Sequence, residues 1–517
     1  MSSNANQYQE FVMSFPRASG ILLHPTSLPS HHGIGDLGES AYEFIDFLAN
    51  SGQKLWQILP LGPTGYEHSP YTMNFSAFAG NPLMISLEQL VTEGLLNQDE
   101  LIPLSPSAQD NPQRVNFDEA IPHKTQILKL AYQRFGQSLA EKSNPEFEDF
   151  CQSQSAWLDD YVLFMSLLEA NEYKAWNYWD KSVARRVPDA LKAKNEELKD
   201  QILYRKFLQF KFFEQWKELR KYANDKNIQI VGDISIYVCH NSSDVWANPE
   251  IFQLDPETLE SAYIAGVPPD YFSATGQLWG NPVYDWDKLK ETKYAWWIER
   301  FRATLQYVDI VRIDHFRGFE AYWRVKAGEE TAINGEWVLA PGAEFFETLG
   351  NSLGSLPVMA EDLGIITPEV EELRDRFDFP GMRILQFAFG GDADNPYLPH
   401  NYIPNCVVYP GTHDNDTAVG WWQTTGEAEK QHVAKYLGYD SPEDVKEINW
   451  EFIRMALASV GDLAVLPLQD ILGLDNSARM NDPSVIPGNW RWRYTGSNLL
   501  TSELSQRLLE MTQLYKR

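Results

Sequence analysis

Eight short apolar runs recur along this chain, and each breaks off into charged, glycine-rich or proline-rich sequence. They fall at 20–23, 55–61, 228–233, 308–314, 356–361, 382–387, 406–409 and, more weakly, 463–467. Runs of this length bounded by turn residues read as buried strands, because a buried helix needs ten residues or more. Between the first two lies ESAYEFIDFLANS, residues 39–51, with helical spacing of its apolar positions. Strand, helix, strand within some forty residues forms a βα unit and implies a parallel sheet. Eight such strands, with helical patterns between most of them, predict an α/β fold: a (β/α)8 TIM barrel with helical and loop insertions. The 517 residues exceed the roughly 250 of a plain barrel, so the insertions must be large.

Two insertions account for much of the excess. Residues 85–227 are mainly helical in pattern and sit between the second and third strands. Within them Phe207, Phe210, Phe213, Trp216 and Leu219 recur at three-residue steps, enough for one buried helix stripe. Residues 241–286 read as a long loop punctuated by proline and glycine, a length typical of lids and binding loops. The whole of 1–517 is expected to form one catalytic unit.

Composition narrows the function. The chain carries 43 basic and 72 acidic residues, a formal charge of −29. A nucleic-acid binder needs a basic footprint, and docking on an anionic membrane needs basic clusters, so neither partner is expected. No uncharged apolar run is long enough to span a bilayer, and the start, MSSNANQYQEFVMSF, lacks the layout of a signal peptide. Cys151, Cys239 and Cys406 are too widely spaced for a zinc pattern; a reducing, cytoplasmic compartment is expected. Seventeen tryptophans and 24 tyrosines would suit a sugar-binding cleft, although core packing also uses such rings.

The chemistry sits where the strands stop, the face on which barrel active sites form. Asp233 ends the third strand, Asp314 the fourth and Glu361 the fifth, and Asp414 follows the seventh. Arg312 lies two residues before Asp314, so both side chains share one face of the strand. One strand-end aspartate is usually a helix cap, but several acids converging on one face repel each other. Such crowding can keep one carboxyl protonated as an acid and another ionised as a nucleophile, the pair that glycoside chemistry uses. His315 and His413 are candidates beside them. No close histidine pair supports a metal, and no organic cofactor is called for.

At these residues the chain resembles the 4-α-glucanotransferases of glycoside hydrolase family 77, the amylomaltases or disproportionating enzymes. The likeness runs through GILLHPTSLPS at 20–30, HSPYTMNFSAFAGNPL at 68–83 and AGVPPDYFSATGQLWGNPVYDW at 265–286. It continues through RIDHFRG at 312–318, AEDLG at 360–364, GTHDNDT at 411–417, and ARMNDP with GNWRWR at 478–493. The resemblance implies a barrel without the C-terminal β-sandwich domain of the amylases, acting on maltooligosaccharides and α-1,4-glucans, with glucose as an acceptor. It implies Asp314 as nucleophile, Glu361 as general acid/base and Asp414 as the third carboxylate, holding sugar hydroxyls. Arg312, His315 and His413 would surround the reacting ring, with Tyr71 stacked under it and Asp233 the acid after the third strand. Tyr271, Phe272 and Ser273 would lie in a mobile loop over the glucan, with Trp279 and Asn281 continuing that wall. One position departs from the family: its usual GD-x-P-I-Y-V reads Gly232-Asp233-Ile234-Ser235-Ile236-Tyr237-Val238 here. A glucan hydrolase using the same acids, and a non-enzymatic glucan-binding protein, stay open as rival readings.

Overall fold

A computed structural model describes residues 15–517 apart from 66–67, 72–73, 103, 105–110, 270–272 and 486. Its strands are β1 (Ala18–Leu22), β2 (Leu55–Gln57), β3 (Gln229–Ser235), β4 (Tyr263–Val267), β5 (Gln277–Pro282) and β6 (Ile310–Asp314). They continue with β7 (Ala321–Lys326), β8 (Gly335–Leu339), β9 (Val358–Ala360), β10 (Gly381–Ile384), β11 (Cys406–Tyr409) and β12 (Leu463–Pro467). Eight of them pair in the order β10-β11-β12-β1-β2-β3-β6-β9, and every neighbouring pair is parallel. These are the eight runs read from sequence. They are nearly continuous in apolar residues because parallel strands in a barrel are covered on both faces.

The ladder stops between β9 and β10, and there a side chain helps to close the barrel. The Ala360 N–H donates to the Pro380 carbonyl at 2.9 Å. The Met382 N–H donates to Asp362 Oδ1 at 2.6 Å, and Arg374 Nη1 holds Asp362 Oδ2 at 2.5 Å. Gly381 is required beside this carboxylate, since a Cβ there would come within 2.3 Å of Asp362 Oδ2.

Between β2 and β3 the chain is helical, including Phe117–Glu141, Ser155–Ala170 and Lys199–Asp225. The last of these buries Phe207, Phe210, Trp216 and Leu219, while Phe213 is half-buried. Two buried glutamines on the same helix pin the preceding loop. Gln209 Nε2 donates to the Gly80 carbonyl at 2.9 Å and its Oε1 accepts the Gly80 N–H at 2.8 Å; Gln215 does the same to Ser86. Each amide acts as one rung of a ladder where no strand is available, so the buried Gly80 and Ser86 peptide groups are paired. The loop thus anchored carries Tyr71.

The stretch 241–286 is more ordered than its punctuation suggests. It contains a short helix, Ser243–Ala247, and the strands β4 and β5. These join β7 and β8 in an antiparallel sheet of order β5-β4-β7-β8, with a register shift between Ile264 and Gly266. The partner strand β7 lies some fifty residues further along, so local pattern could not reveal the pairing. Beyond β12 come short helical turns and the helix Ser502–Leu514. Among the described residues no helix is long and apolar enough to cross a membrane.

Candidate active site

Strand register builds one wall of the site. Asp233 on β3 lies opposite Arg312 on β6, and Ser235 lies opposite Asp314. The Arg312 guanidinium spans both acids, with Nη1 at 2.6 Å from Asp233 Oδ2 and Nη2 at 3.1 Å from Asp314 Oδ1. The Tyr71 hydroxyl donates to the same Asp233 oxygen at 2.8 Å. The Asp233 side chain is fully buried, whereas that of Asp314 is 28% exposed. Of the two, Asp314 has the more exposed carboxylate. Burial pushes Asp314 above its ordinary range, and the Arg312 charge is the main force holding it down. Burial likewise lifts Asp233 to about 7 against the pull of Arg312.

Glu361 follows β9 directly, and the neighbouring loop fastens both of its oxygens. The His315 N–H donates to Oε2 at 2.7 Å and the Leu363 N–H to Oε1 at 2.9 Å. His315 achieves this with φ at 54°, in the left-handed region, a conformation that costs a non-glycine residue roughly 1–2 kcal/mol. The turn comes immediately after Asp314 and aims the next amide at Glu361. Burial, then the Asp314 charge, push Glu361 up to about 8. A protonated Glu361 therefore faces a carboxylate braced by Arg312, the division of labour that an acid–nucleophile pair requires. Burial and then the Arg317 charge lower the His315 imidazole to about 3, and its ring meets Trp279 edge-on at 4.7 Å.

The opposite wall rests on loops. His413 and Asp414 follow β11, and Asp414 accepts from Asn481 Nδ2 at 2.7 Å. His413 Nε2 lies 3.3 Å from Asp414 Oδ1. Burial lowers the His413 imidazole despite that carboxylate. Arg479 Nη2 holds the Asp414 carbonyl at 2.6 Å. The Tyr71 and His413 rings stack at 5.1 Å, 6° from parallel, and Trp490 leans against both at 5.8 and 5.9 Å. Asp414 is more open than Asp233 and Asp314, its side chain 45% exposed. Among the described residues no group of three or more His, Cys, Asp or Glu side chains is placed to hold a metal ion.

A sequence model for one enzyme family, described as 4-alpha-glucanotransferase of glycoside hydrolase family 77, matches residues 23–500. The chain belongs to that family. A 4-alpha-glucanotransferase of Synechocystis sp. is 58% identical over 503 residues, covering 97% of this chain and 98% of that protein. One from Thermus thermophilus is 45% identical over 498 residues, covering 95% and 97%. The solved amylomaltase from Streptococcus agalactiae in complex with acarbose is 39% identical and superposes with a TM-score of 0.91, over 97% of this chain and 99% of that one.

For a glucanotransferase, the remaining expected residues divide into three groups. Trp279 stands on β5 against His315. Ser273 closes a turn, its Oγ donating to the Gly276 carbonyl at 2.7 Å, and Asn281 is buried within β5. Tyr271 and Phe272 lie outside the described residues. Sequence reasoning gave no role to Asn481 or Trp490, although both lie within the family motifs. Neither ends a strand, so the signal that exposed the acids was missing for them.

Proposed function

We propose that this glucanotransferase transfers segments of α-1,4-glucan to the 4-hydroxyl of an acceptor glucan, or of glucose, by two displacements at one carbon. Glu361 protonates the glycosidic oxygen as Asp314 attacks the anomeric carbon, so the C–O bond breaks as the ester forms. The reducing-side fragment leaves. Glu361, now ionised, takes the proton of the incoming 4-hydroxyl as that oxygen displaces Asp314. Two inversions return the original configuration. Asp414, kept in place by Asn481, receives hydroxyls of the reacting ring, and the Tyr71–His413 stack supports its apolar face. Trp279, on β5 beside His315, covers the ester and binds the acceptor, a task the family resemblance also gives to Tyr271 and Phe272. The observation that carries the reading is the contrast between Glu361, pushed up to about 8, and Asp314, half-open and braced by Arg312. The cysteines Cys151, Cys239 and Cys406 are free, which suits a cytoplasmic enzyme.

Water and glucan compete for the ester, and water at about 55 M has the advantage of mass action. Positioning can supply roughly 7–11 kcal/mol in the best cases, enough to reverse it. Incubation with maltotriose alone therefore gives glucose and a ladder of longer maltodextrins with a flat total of reducing ends. A steady rise in reducing ends without longer products would make the protein a hydrolase. Unchanged sugar from well-folded protein would make it a binding protein.

A further inference from the structure

Behind the strand-end acids lies a cavity bordered by Tyr71, Asn74, Asp233, Ser235, Tyr237 and Arg300, with about 50 Å³ open to the centre of a water molecule. Three polar atoms buried in these walls have no hydrogen-bond partner among the described residues: Asp233 Oδ1 and Arg300 Nε and Nη1. Arg300 is only 5% exposed. It stands on the helix Ala295–Leu305, which leads into β6, and its guanidinium lies over the rings of Trp297 and Trp296 at 4.9 and 5.4 Å. Its remaining nitrogen, Nη2, donates to the Ser235 carbonyl at 2.7 Å. Ser235 is the register partner of Asp314. Beside it, the Tyr284 hydroxyl donates to the Ile236 carbonyl at 2.8 Å.

We propose that Arg300 is a positioning residue for Asp314, acting directly through the Ser235 carbonyl and indirectly through water held between Arg300 and Asp233. The role rests on the assignment of Asp314 as nucleophile. Two routes lead from the one cation to the reacting carboxylate. The first fixes the end of β3, against which the end of β6 is registered. The second runs from Arg300 through the cavity to Asp233 Oδ1, then from Asp233 Oδ2 to Arg312 at 2.6 Å and from Arg312 to Asp314 at 3.1 Å. A buried water needs about 10–15 Å³ and two or more polar partners; this cavity has room for roughly three, and Arg300 and Asp233, each with unpartnered buried atoms, both line it. Without such water, two guanidinium nitrogens and a carboxylate oxygen would be buried unpaired, at a cost in stability. The charged neighbour of Arg300 is Asp244, with the Tyr284 hydroxyl also beside the guanidinium; Asp244 Oδ2 accepts the Ala77 N–H at 2.8 Å.

The test compares Arg300→Met, which keeps bulk without charge, and Arg300→Lys with the unaltered enzyme. Arg300→Met is expected to lower kcat about tenfold or more, because small misplacements of a reacting group are costly. KM stays within about twofold, since glucan contacts are untouched, and the loss is the same on maltotriose and on a glucosyl fluoride donor. Arg300→Lys recovers most of kcat. A folded Arg300→Met enzyme with native kcat would overturn the proposal, and so would losses that track only the unfolded fraction. A high-resolution crystal structure of the unaltered enzyme gives a second reading that does not depend on the variant folding. It is expected to show water bonded to Arg300 Nη1 or Nε and to Asp233 Oδ1; a dry cavity overturns the relay. Asp314→Asn run in parallel separates the two claims. If it is active, the nucleophile assignment falls; if it is dead while Arg300→Met is normal, only the positioning role falls.

Discussion

The two walls of the cleft are held by different means. On the β3–β6–β9 side, pairing register sets every group: Asp233 against Arg312, Ser235 against Asp314, and Glu361 one residue beyond β9. On the other side, His413 and Asp414 stand on the turn after β11, and Asn481 and Trp490 reach them from the loops beyond β12. On the first wall the acids are braced by a guanidinium or by backbone N–H groups; on the second, Asp414, its side chain 45% exposed, is steadied by a neighbouring side chain. Bond-making atoms must be held to fractions of an ångström, and regular elements hold them better than loops do. Sugar hydroxyls are more numerous and more variable, and loops suit them.

Substitutions can break this contrast, and the largest effect belongs to the strand wall. Asp314→Asn is expected to lower disproportionation by about ten-thousand-fold or more, since nucleophile loss removes a whole step. The thermal midpoint is expected to stay near native. Substantial turnover by the variant would take the nucleophile away from β6. Next comes Glu361→Gln, expected to cost about 10²–10⁴-fold on maltotriose but far less on a fluoride donor, whose leaving group needs no proton. Equal single-turnover losses on both would deny it the proton. The same residue predicts an alkaline limb. Its protonated form is the active one and persists up to about pH 8, so turnover falls above that pH, and the limb is absent from the residual activity of Glu361→Gln.

On the loop wall the effects are smaller. Asn481→Ala removes a hydrogen bond to a charged group, worth about 1.5–3 kcal/mol, or roughly ten- to a hundredfold in kcat/KM. A loss as large as that of Asp314→Asn would erase the distinction between the walls. The smallest effect concerns Asp470, after β12, whose Oδ1 accepts the Ala418 N–H at 2.7 Å and which burial pushes up to about 7. A carboxyl raised in the folded state destabilises it progressively as pH climbs from the unfolded value through the folded one. The midpoint of the unaltered protein therefore carries a downward term between about pH 4 and 7, and Asp470→Asn is expected to flatten that part of the melting profile by a few degrees. An unchanged slope would show that Asp470 does not titrate in this window.

Sequence and structure agree best where the information is local. All eight barrel strands were legible because an apolar run flanked by breakers is its own signal, and the acids were legible because they end such runs. Arg312 was read as a partner of Asp314 two residues away. Its shorter contact, with Asp233, crosses from β6 to β3 and joins residues 79 positions apart, which no single stretch of sequence displays. The sheet of β4, β5, β7 and β8 escaped notice for the same reason. Gly276 and Gly280 have positive φ, so the stretch reads as turns, and only pairing with β7 makes it sheet. Asn481 is an ordinary loop asparagine until the fold sets it against Asp414.

The dipeptide Glu361–Asp362 carries an unusual double duty. Successive residues in an extended segment face opposite ways, so one carboxyl points into the cleft while the next turns outward and ties β9 to β10. A single-residue insertion or deletion just before them would swap the two sides, moving the proton donor out of the cleft and the clasp into it. Alanine scanning one position at a time would find two separate defects, one in turnover and one in folding. An indel would produce both at once, so the spacing of this corner is held as tightly as its two side chains.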